Sequence, residues 1–152
     1  MKTPFIILIL ILTIATGCKT QATNGLRLVD ATKNSWAGGM PQSGSGNTYH
    51  ILLSIATAQK YTINHVWIEG KEVDFSIQNY RMLLDRVAAK GDTIDIIYNQ
   101  YFKENSTQLN LKENGLKPPL DGYAAILAYT KNNKMAYLKI KEIKVLPGVN
   151  YP

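Results

Sequence analysis

The sequence has few of the residues that carry most catalytic and metal chemistry. Its 152 residues include one cysteine, two histidines and two tryptophans. A single cysteine excludes a disulfide within the chain, and the histidines and methionines lack the regular spacing of metal ligands. The sequence also lacks a dense basic run of the kind that binds nucleic acid. We therefore expect no cofactor, no metal centre and no nucleic-acid partner.

The first 18 residues carry the most distinctive apolar pattern in the sequence. Lys2 precedes an unbroken apolar run over residues 5–12, and small residues at 15–17 stand directly before Cys18. A positive start, a short apolar stretch and small residues at a cleavage point are typical of an export signal. The apolar stretch is shorter than the roughly 20 residues that cross a bilayer, which argues against an uncleaved membrane helix.

The position of Cys18 gives this segment a more specific interpretation. Residues Ala15 to Cys18 resemble the lipobox of bacterial lipoproteins, although Ala15 stands where that pattern usually has leucine. The resemblance implies a signal peptide over 1–17, an acyl group such as palmitate on Cys18, and a lipidated tether over 18–25. Ordinary secretion is the alternative, but it would leave Cys18 as an unpaired thiol in an oxidising compartment.

The rest of the chain suits one domain, which we place at residues 26–152. Cleavage before Cys18 would leave 135 residues, and an apolar content of 45% supplies a core without disulfides. The whole sequence has a net charge of +6, and removal of Lys2 with the leader would leave +5. This mild positive charge is spread along the chain and suits a position near anionic lipid headgroups.

Alternating apolar and polar residues predict strands in this domain. The clearest strands cover 49–55 and 93–101, and a short first strand is expected from Leu26. A closing hairpin is expected from 124–129 and 134–145. Residues 79–90 are predicted as a short helix or helical turn, with an irregular crossing segment as the alternative. An edge strand is predicted near Leu109 and Leu111, and the last strand is predicted to end at Pro147 and Gly148.

The sequence also predicts the register of one hairpin. Residues 63–68 and 71–77 flank Glu69 and Gly70, and a glycine there suits a two-residue turn. Pairing Ile68 with Lys71 sorts the side chains onto two faces. The apolar face is predicted to hold Val66, Ile68, Val73, Phe75 and Ile77. The polar face is predicted to hold His65, Trp67, Glu69, Glu72 and Asp74.

These elements indicate an all-β fold. About seven or eight strands with frequent turn signals and no repeated βα pattern favour an immunoglobulin-like antiparallel β-sandwich. The alternative is a small closed β-barrel, because the sequence does not reveal whether the first and last strands meet.

Residues 35–47 are rich in glycine and invite a phosphate-binding interpretation. Gly39 and Gly44 have P-loop spacing, but Ser45 and Gly46 stand where that motif needs lysine followed by serine or threonine. We therefore predict an irregular loop. Trp36 at its start is expected to pack over one end of the core, and exposure for binding is the alternative.

The candidate functional residues form a surface rather than a catalytic centre. His65 and Asp74 would face each other across the predicted hairpin as an acid and base pair, but no nucleophile motif accompanies them. Glu69, Glu72 and Asp74 lie on one hairpin rather than across the cleft that sugar hydrolysis requires. We therefore assign no catalytic residue and expect no enzyme. The predicted binding surface comprises Trp36, His65, Trp67, Glu72 and Asp74, with Trp67 exposed unless a second sheet covers it.

Several runs also resemble a known class of protein, the small, functionally uncharacterised lipoproteins of two-membrane bacteria that pair a lipobox with one β-sandwich. The runs are Trp36 to Gly39, Val66 to Lys71, Lys90 to Ile94 and Tyr137 to Lys141. The resemblance implies an envelope location and transfers no catalytic residue. Because Lys19 rather than aspartate follows Cys18, sorting rules favour by analogy an outer-membrane anchor facing the periplasm, with the inner membrane or the cell surface as alternatives.

The function expected from these features is a non-catalytic interaction or accessory module of an envelope assembly. Its partners would be the membrane, through Cys18, and an envelope protein. The first alternative is a binding module for a small ligand or a glycan, with Trp36 or Trp67 as the stacking platform. A hydrolase using His65 and Asp74 is the less favoured alternative.

Overall fold

The computed structural model describes residues 25–40, 43–78, 90–102, 116–119 and 121–152. These residues form nine strands and no helix. The strands are β1 (Leu26–Ala37), β2 (Ser45–Ile55), β3 (Tyr61–Ile68), β4 (Lys71–Glu72), β5 (Ser76–Gln78), β6 (Thr93–Phe102), β7 (Ala125–Lys131), β8 (Lys134–Ile140) and β9 (Lys144–Asn150). The predicted leader and Cys18, the predicted edge strand near Leu109 and Leu111, and all of the predicted helix over 79–90 except Lys90, which lies in a turn, are outside the described residues.

The nine strands form two sheets that share one core. One sheet has the order β5-β6-β2-β1-β9 and the other β4-β3-β7-β8. Apart from β9, this is the strand order of the immunoglobulin-like sandwich, with β1, β2, β6 and β5 as A, B, E and D, and β3, β4, β7 and β8 as C, C′, F and G. No described strand of one sheet pairs with a strand of the other, so the predicted sandwich is confirmed and the alternative closed barrel is not formed.

Period-2 alternation explains which face of each strand lies inside. Along β2, Tyr49, Ile51, Leu53 and Ile55 are each at most 2% exposed, whereas the residues between them are half-buried. Successive side chains of a strand point to opposite faces, so these four turn toward the other sheet. The opposite sheet contributes core residues in the same way, among them Val66, Ile68, Leu127, Tyr129, Leu138 and Ile140.

The hairpin between β3 and β4 has the predicted register. Ile68 pairs with Lys71, Trp67 pairs with Glu72, and Glu69 and Gly70 have φ of 51° and 78°, as a two-residue turn of this kind requires. The predicted apolar face is also confirmed. Its members lie in or against the core: Val66, Ile68 and Val73 are buried, and Phe75 and Ile77 pack beside them.

Two strands predicted as continuous are instead divided between the sheets. The run 71–77 contributes β4 to one sheet and β5 to the other, and the run 134–145 divides in the same way into β8 and the start of β9. The apolar alternation continues through each crossing because both sheets face the same core. The pattern therefore predicted inward and outward faces correctly and missed the change of sheet.

The prediction that Pro147 and Gly148 end the last strand is wrong, because both lie within β9. This strand pairs with β1 in parallel at the edge of its sheet, and its register shifts between Asn34 and Trp36. Leu146 pairs with Asn34 and Val149 with Trp36, so Pro147 and Gly148 together oppose Ser35 as a bulge. A proline is tolerated at such an edge because one side of an edge strand makes no ladder hydrogen bonds, so that the missing N–H leaves no ladder bond unmade.

The glycine-rich segment at 35–47 is more regular than predicted. Ala37 pairs with Ser45, and the antiparallel ladder of β1 and β2 continues up to that pair. The connection itself is therefore confined to residues 38–44, where the N–H of Gly38 donates to the carbonyl of Gly44. Trp36 lies in β1 as a result, rather than in a loop.

Candidate functional site

Trp67 does not form the exposed patch predicted for it. The residue is only 4% exposed and packs with Ile126 and Ala128, with Tyr123 beside them. Its indole N–H donates to the carbonyl of Leu116 at 2.8 Å. What covers this face is therefore a segment distant in sequence, rather than the second sheet proposed as the alternative.

The partner of His65 is Glu72 and not Asp74. The Nδ1 atom of His65 lies 2.8 Å from Oε1 of Glu72, and the N–H of Leu116 donates to Oε2 of the same carboxylate at 2.6 Å. The Glu72 side chain is 3% exposed, whereas Asp74 is exposed. Since both oxygens of Glu72 have partners within the protein, the pair holds the backbone of Leu116 against the sheet.

A small pocket opens beside this cluster. Its volume is about 250 Å³, and the residues that line it include Trp67, Tyr123, Glu69 and Asp121. Glu69 also forms an ion pair, in which Oε1 lies 3.2 Å from Nζ of Lys33 in β1. Glu69, predicted on the polar face, therefore reaches across the rim of the sandwich to the opposite sheet.

Trp36 belongs to a row of side chains on the outer face of the five-stranded sheet. Gly46 pairs with both Trp36 and Tyr101, and Trp36 also pairs with Val149 in the strand beyond it. A Cβ atom at Gly46 would come within 2.7 Å of the indole, so the ring occupies the space above this glycine. Tyr101 meets Trp36 edge to face, with ring centroids 5.6 Å apart and planes at 74°.

Polar side chains form the next row of the same face. Thr48 donates to Oδ1 of Asn99 at 2.9 Å, and Asn34 pairs with Thr48 across β1 and β2. Oδ1 of Asn34 is buried without a hydrogen-bond partner. We call these two rows, formed by Trp36, Gly46, Tyr101, Val149, Asn34, Thr48 and Asn99, the Trp36 surface. Within it, Tyr101 is 44% and Val149 39% exposed, and Trp36 is half-buried.

A histidine and an aspartate continue this face beyond the Trp36 surface. Nδ1 of His50 lies 2.9 Å from Oδ2 of Asp95, and the side chains are 41% and 14% exposed. The other oxygen of Asp95 is buried without a partner. Sequence reasoning missed this pair and the role of Tyr101. Alternation placed His50 opposite to the buried face of β2, but nothing in the sequence indicated that β6 lies beside it.

The inner rim near Lys33 has perturbed protonation equilibria. Burial, followed by the proximity of Tyr49, Glu69 and Asp74, raises the pKa of Tyr98 to about 12. Burial is also the main cause of the raised pKa of Tyr49, whose hydroxyl donates to Glu69 at 3.1 Å. The pKa of Lys33 is raised, chiefly by its interaction with the Tyr49 hydroxyl.

The described residues show neither a membrane-spanning helix nor a metal cluster. Among these residues there is no helix that is both long enough and apolar enough to cross a membrane. Over the same residues, no three or more His, Cys, Asp or Glu side chains converge as a metal site would require.

Comparison with protein-family models, with curated proteins and with solved structures gave no match. The candidate site therefore rests on its own geometry. Of the residues predicted to form it, the structure brings His65, Trp67 and Glu72 together beneath Leu116 and leaves Asp74 apart. Trp36 lies on the other sheet, where its neighbours form the more exposed surface.

Proposed function

We propose that this protein is a lipid-anchored, non-catalytic interaction module of the bacterial cell envelope. The Trp36 surface carries the proposal, because it combines a large, partly exposed aromatic row with hydrogen-bonding side chains at its border. Aromatic residues rimmed by polar groups are typical of surfaces that bind partners. The lipobox-like sequence ending at Cys18 supports the anchor.

The direction of β1 fits this arrangement. Leu26 begins β1 only eight residues after Cys18, and Trp36 lies ten residues farther along the same strand. Because a strand rises about 3.3 Å per residue, Leu26 and Trp36 are roughly 33 Å apart. A chain anchored through Cys18 would therefore join the sandwich at Leu26, the end of β1 opposite to Trp36. The Trp36 surface would then be accessible away from the membrane. An outer-membrane anchor facing the periplasm remains our preferred location, with the inner membrane or the cell surface as alternatives.

A glycan-binding module is the second candidate function. The indole of Trp36 lies over Gly46 where no side chain separates it from the sheet, and the amides of Asn34 and Asn99 lie in the adjoining row. A ring that stacks on a sugar, with amides that bind its hydroxyl groups, is a common way to recognise carbohydrate. The buried, unpartnered Oδ1 of Asn34 favours a polar ligand at this position.

The test is crosslinking of the tagged protein in native envelopes, read by mass spectrometry, with purified protein applied to a glycan array in parallel. We expect a stoichiometric protein partner in the first experiment, and truncation of a binding aromatic to reduce its recovery by about tenfold or more. Trp36→Ala and Tyr101→Ala are the test variants. Val29→Ala is the matched control, since Val29 is an apolar residue of the same strand and is 54% exposed.

Each result separates the candidates. A partner lost with Trp36→Ala and retained with Val29→Ala supports the interaction module, and its loss with Cys18→Ala supports the anchor. Glycan binding that depends on Trp36 without a protein partner favours the second candidate. If both aromatic variants behave as wild type in both assays, the Trp36 surface is not the binding site.

A further inference from the structure

The four outer edges of the two sheets are not equally protected. Edge strands expose unpaired backbone groups, and proteins commonly shorten or interrupt them. β4 has two residues, β5 has three, and β9 contains Pro147 in a bulge. β8 is the exception among the described strands, since it has seven residues and pairs with β7 without a register shift.

The turn before β8 determines which backbone groups are unpaired. Asn132 and Asn133 have φ of 48° and 59°, and they join Lys131 to Lys134 as a two-residue hairpin. In such a hairpin the pair beside the turn is hydrogen-bonded, and hydrogen-bonded pairs then alternate along the ladder. The N–H and C=O groups of Met135, Tyr137 and Lys139 therefore point away from β7, and no described strand pairs with that side.

The side chains along this edge are partly apolar and strongly basic. Met135 is 56% and Tyr137 37% exposed, and their side chains contact each other at 3.4 Å. Lysines stand at positions 134, 139 and 141, and Glu142 is the nearest acid in sequence. A regular edge with exposed apolar side chains suits strand addition by an extended segment.

We propose that the β8 edge binds an extended acidic segment of a partner protein, which adds as a fifth strand beside β8. Charge complementarity with the lysines selects an acidic partner. It disfavours a second copy of this chain, because two β8 edges would bring their lysines together. The proposal concerns a different surface from that around Trp36 and does not depend on it.

The experiment uses the mature full chain and two peptides of the length of β8, one alternating glutamate with valine and the other lysine with valine. Binding is followed by chemical-shift changes and by slowed hydrogen exchange of backbone amides. We expect the acidic peptide to protect the amides of Met135, Tyr137 and Lys139, and the basic peptide to leave them unchanged.

Met135→Pro is the decisive variant, with Met135→Ala as its matched control. Both lose the methionine side chain, but only proline removes the outward N–H, which β7 does not use. We expect proline to weaken acidic-peptide binding by about tenfold beyond alanine. Lys134→Glu with Lys141→Glu provides a second test by charge reversal if the proline variant does not fold.

Several outcomes would overturn the proposal. Equal binding of the two peptides would remove its charge basis, and unchanged binding by Met135→Pro would remove its backbone basis. Protection of the β8 amides that rises with protein concentration in the absence of peptide would assign the edge to a second copy instead. If the lipid anchor or the binding at the Trp36 surface were disproved, the binding of the acidic peptide at the β8 edge would still be expected.

Discussion

Glu72 shows at the scale of one residue how a buried charge can hold a remote segment. Its side chain is 3% exposed, and its carboxylate receives hydrogen bonds from the backbone of Leu116 and contacts His65. Burying a carboxylate is unfavourable unless such partners replace its hydration. The arrangement therefore makes the position of Leu116, and with it the cover over Trp67, depend on this one side chain.

We predict that Glu72→Gln lowers the free energy of unfolding by about 1.5–3 kcal/mol, because the amide offers one acceptor where the carboxylate offers two. Urea unfolding measures the loss. Trp67 emission, recorded in a Trp36→Phe background, reports the release of Leu116, which should shift the emission to longer wavelength.

Glu142→Gln is the control for that prediction, since it makes the same chemical change at an exposed glutamate outside the Leu116 contact. Its effect should stay within about 0.5 kcal/mol, as is usual for surface substitutions. Equal destabilisation by the two substitutions would mean that Glu72 has no special role at Leu116.

At the scale of elements, the two-residue turns fix strand register. A one-residue slip between β7 and β8 would move Leu138 and Ile140 out of the core, because alternate side chains face opposite sides. The turn at Asn132 and Asn133 prevents this slip by taking positive φ at both positions. Asparagine tolerates that conformation better than most residues, and β-branched residues tolerate it poorly.

We predict that Asn133→Val destabilises the protein by about 1–2 kcal/mol, the cost of left-handed backbone for an ordinary L-residue. Asn133→Gly should remain within about 0.5 kcal/mol of wild type, since glycine adopts this conformation freely but loses more chain entropy on folding. Thermal and urea unfolding of the pair measure the difference. A valine variant as stable as the glycine variant would show that this turn does not constrain the hairpin.

At the scale of the whole molecule, the raised pKa of Tyr98 makes the free energy of unfolding depend on pH in the alkaline range. The folded-state pKa is about 12, whereas an unfolded tyrosine titrates near 10. The folded protein therefore keeps a proton that the unfolded chain has lost, and stability falls as pH rises through this interval. The raised pKa values of Tyr49 and Lys33 act in the same direction.

We predict that Tyr98 contributes a loss of about 1.4 kcal/mol per pH unit between roughly pH 10 and 12. Tyr98→Phe keeps the ring stack on Tyr49, whose centroid lies 5.5 Å away, and removes this proton. Urea unfolding from neutral pH to about pH 11.5 should show a shallower decline for the variant. Parallel declines in the two proteins would mean that Tyr98 does not titrate differently on folding.

Much of the fold was accessible from local sequence patterns. The alternation along β2 and β6, the turn at Glu69 and Gly70, and the register from Ile68 and Lys71 are short-range features, and the structure has each of them. Period 2 specifies which side chains share a face. It does not specify which sheet a strand joins, so the divisions between β4 and β5 and between β8 and β9 were missed.

The candidate site was less accessible, because its contacts join residues far apart in the chain. Trp67 was expected to be exposed, yet Leu116 covers it from 49 positions away. His65 was paired with Asp74 by strict register, whereas Glu72 is the buried carboxylate that it reaches. Nothing local in the sequence encodes either contact.

Local sequence patterns are therefore enough to predict the all-β class, the inward faces of the strands and the positions of the tight turns, since each depends on side-chain periodicity or on the φ preferences of one or two residues. Long-range packing, in contrast, sets the burial of Trp67, the contact between Trp36 and Tyr101, and the position of β8 as the long regular edge. Those outcomes depend on which remote segments pack on each face, and that is set by the free energy of the whole core rather than by any local stretch.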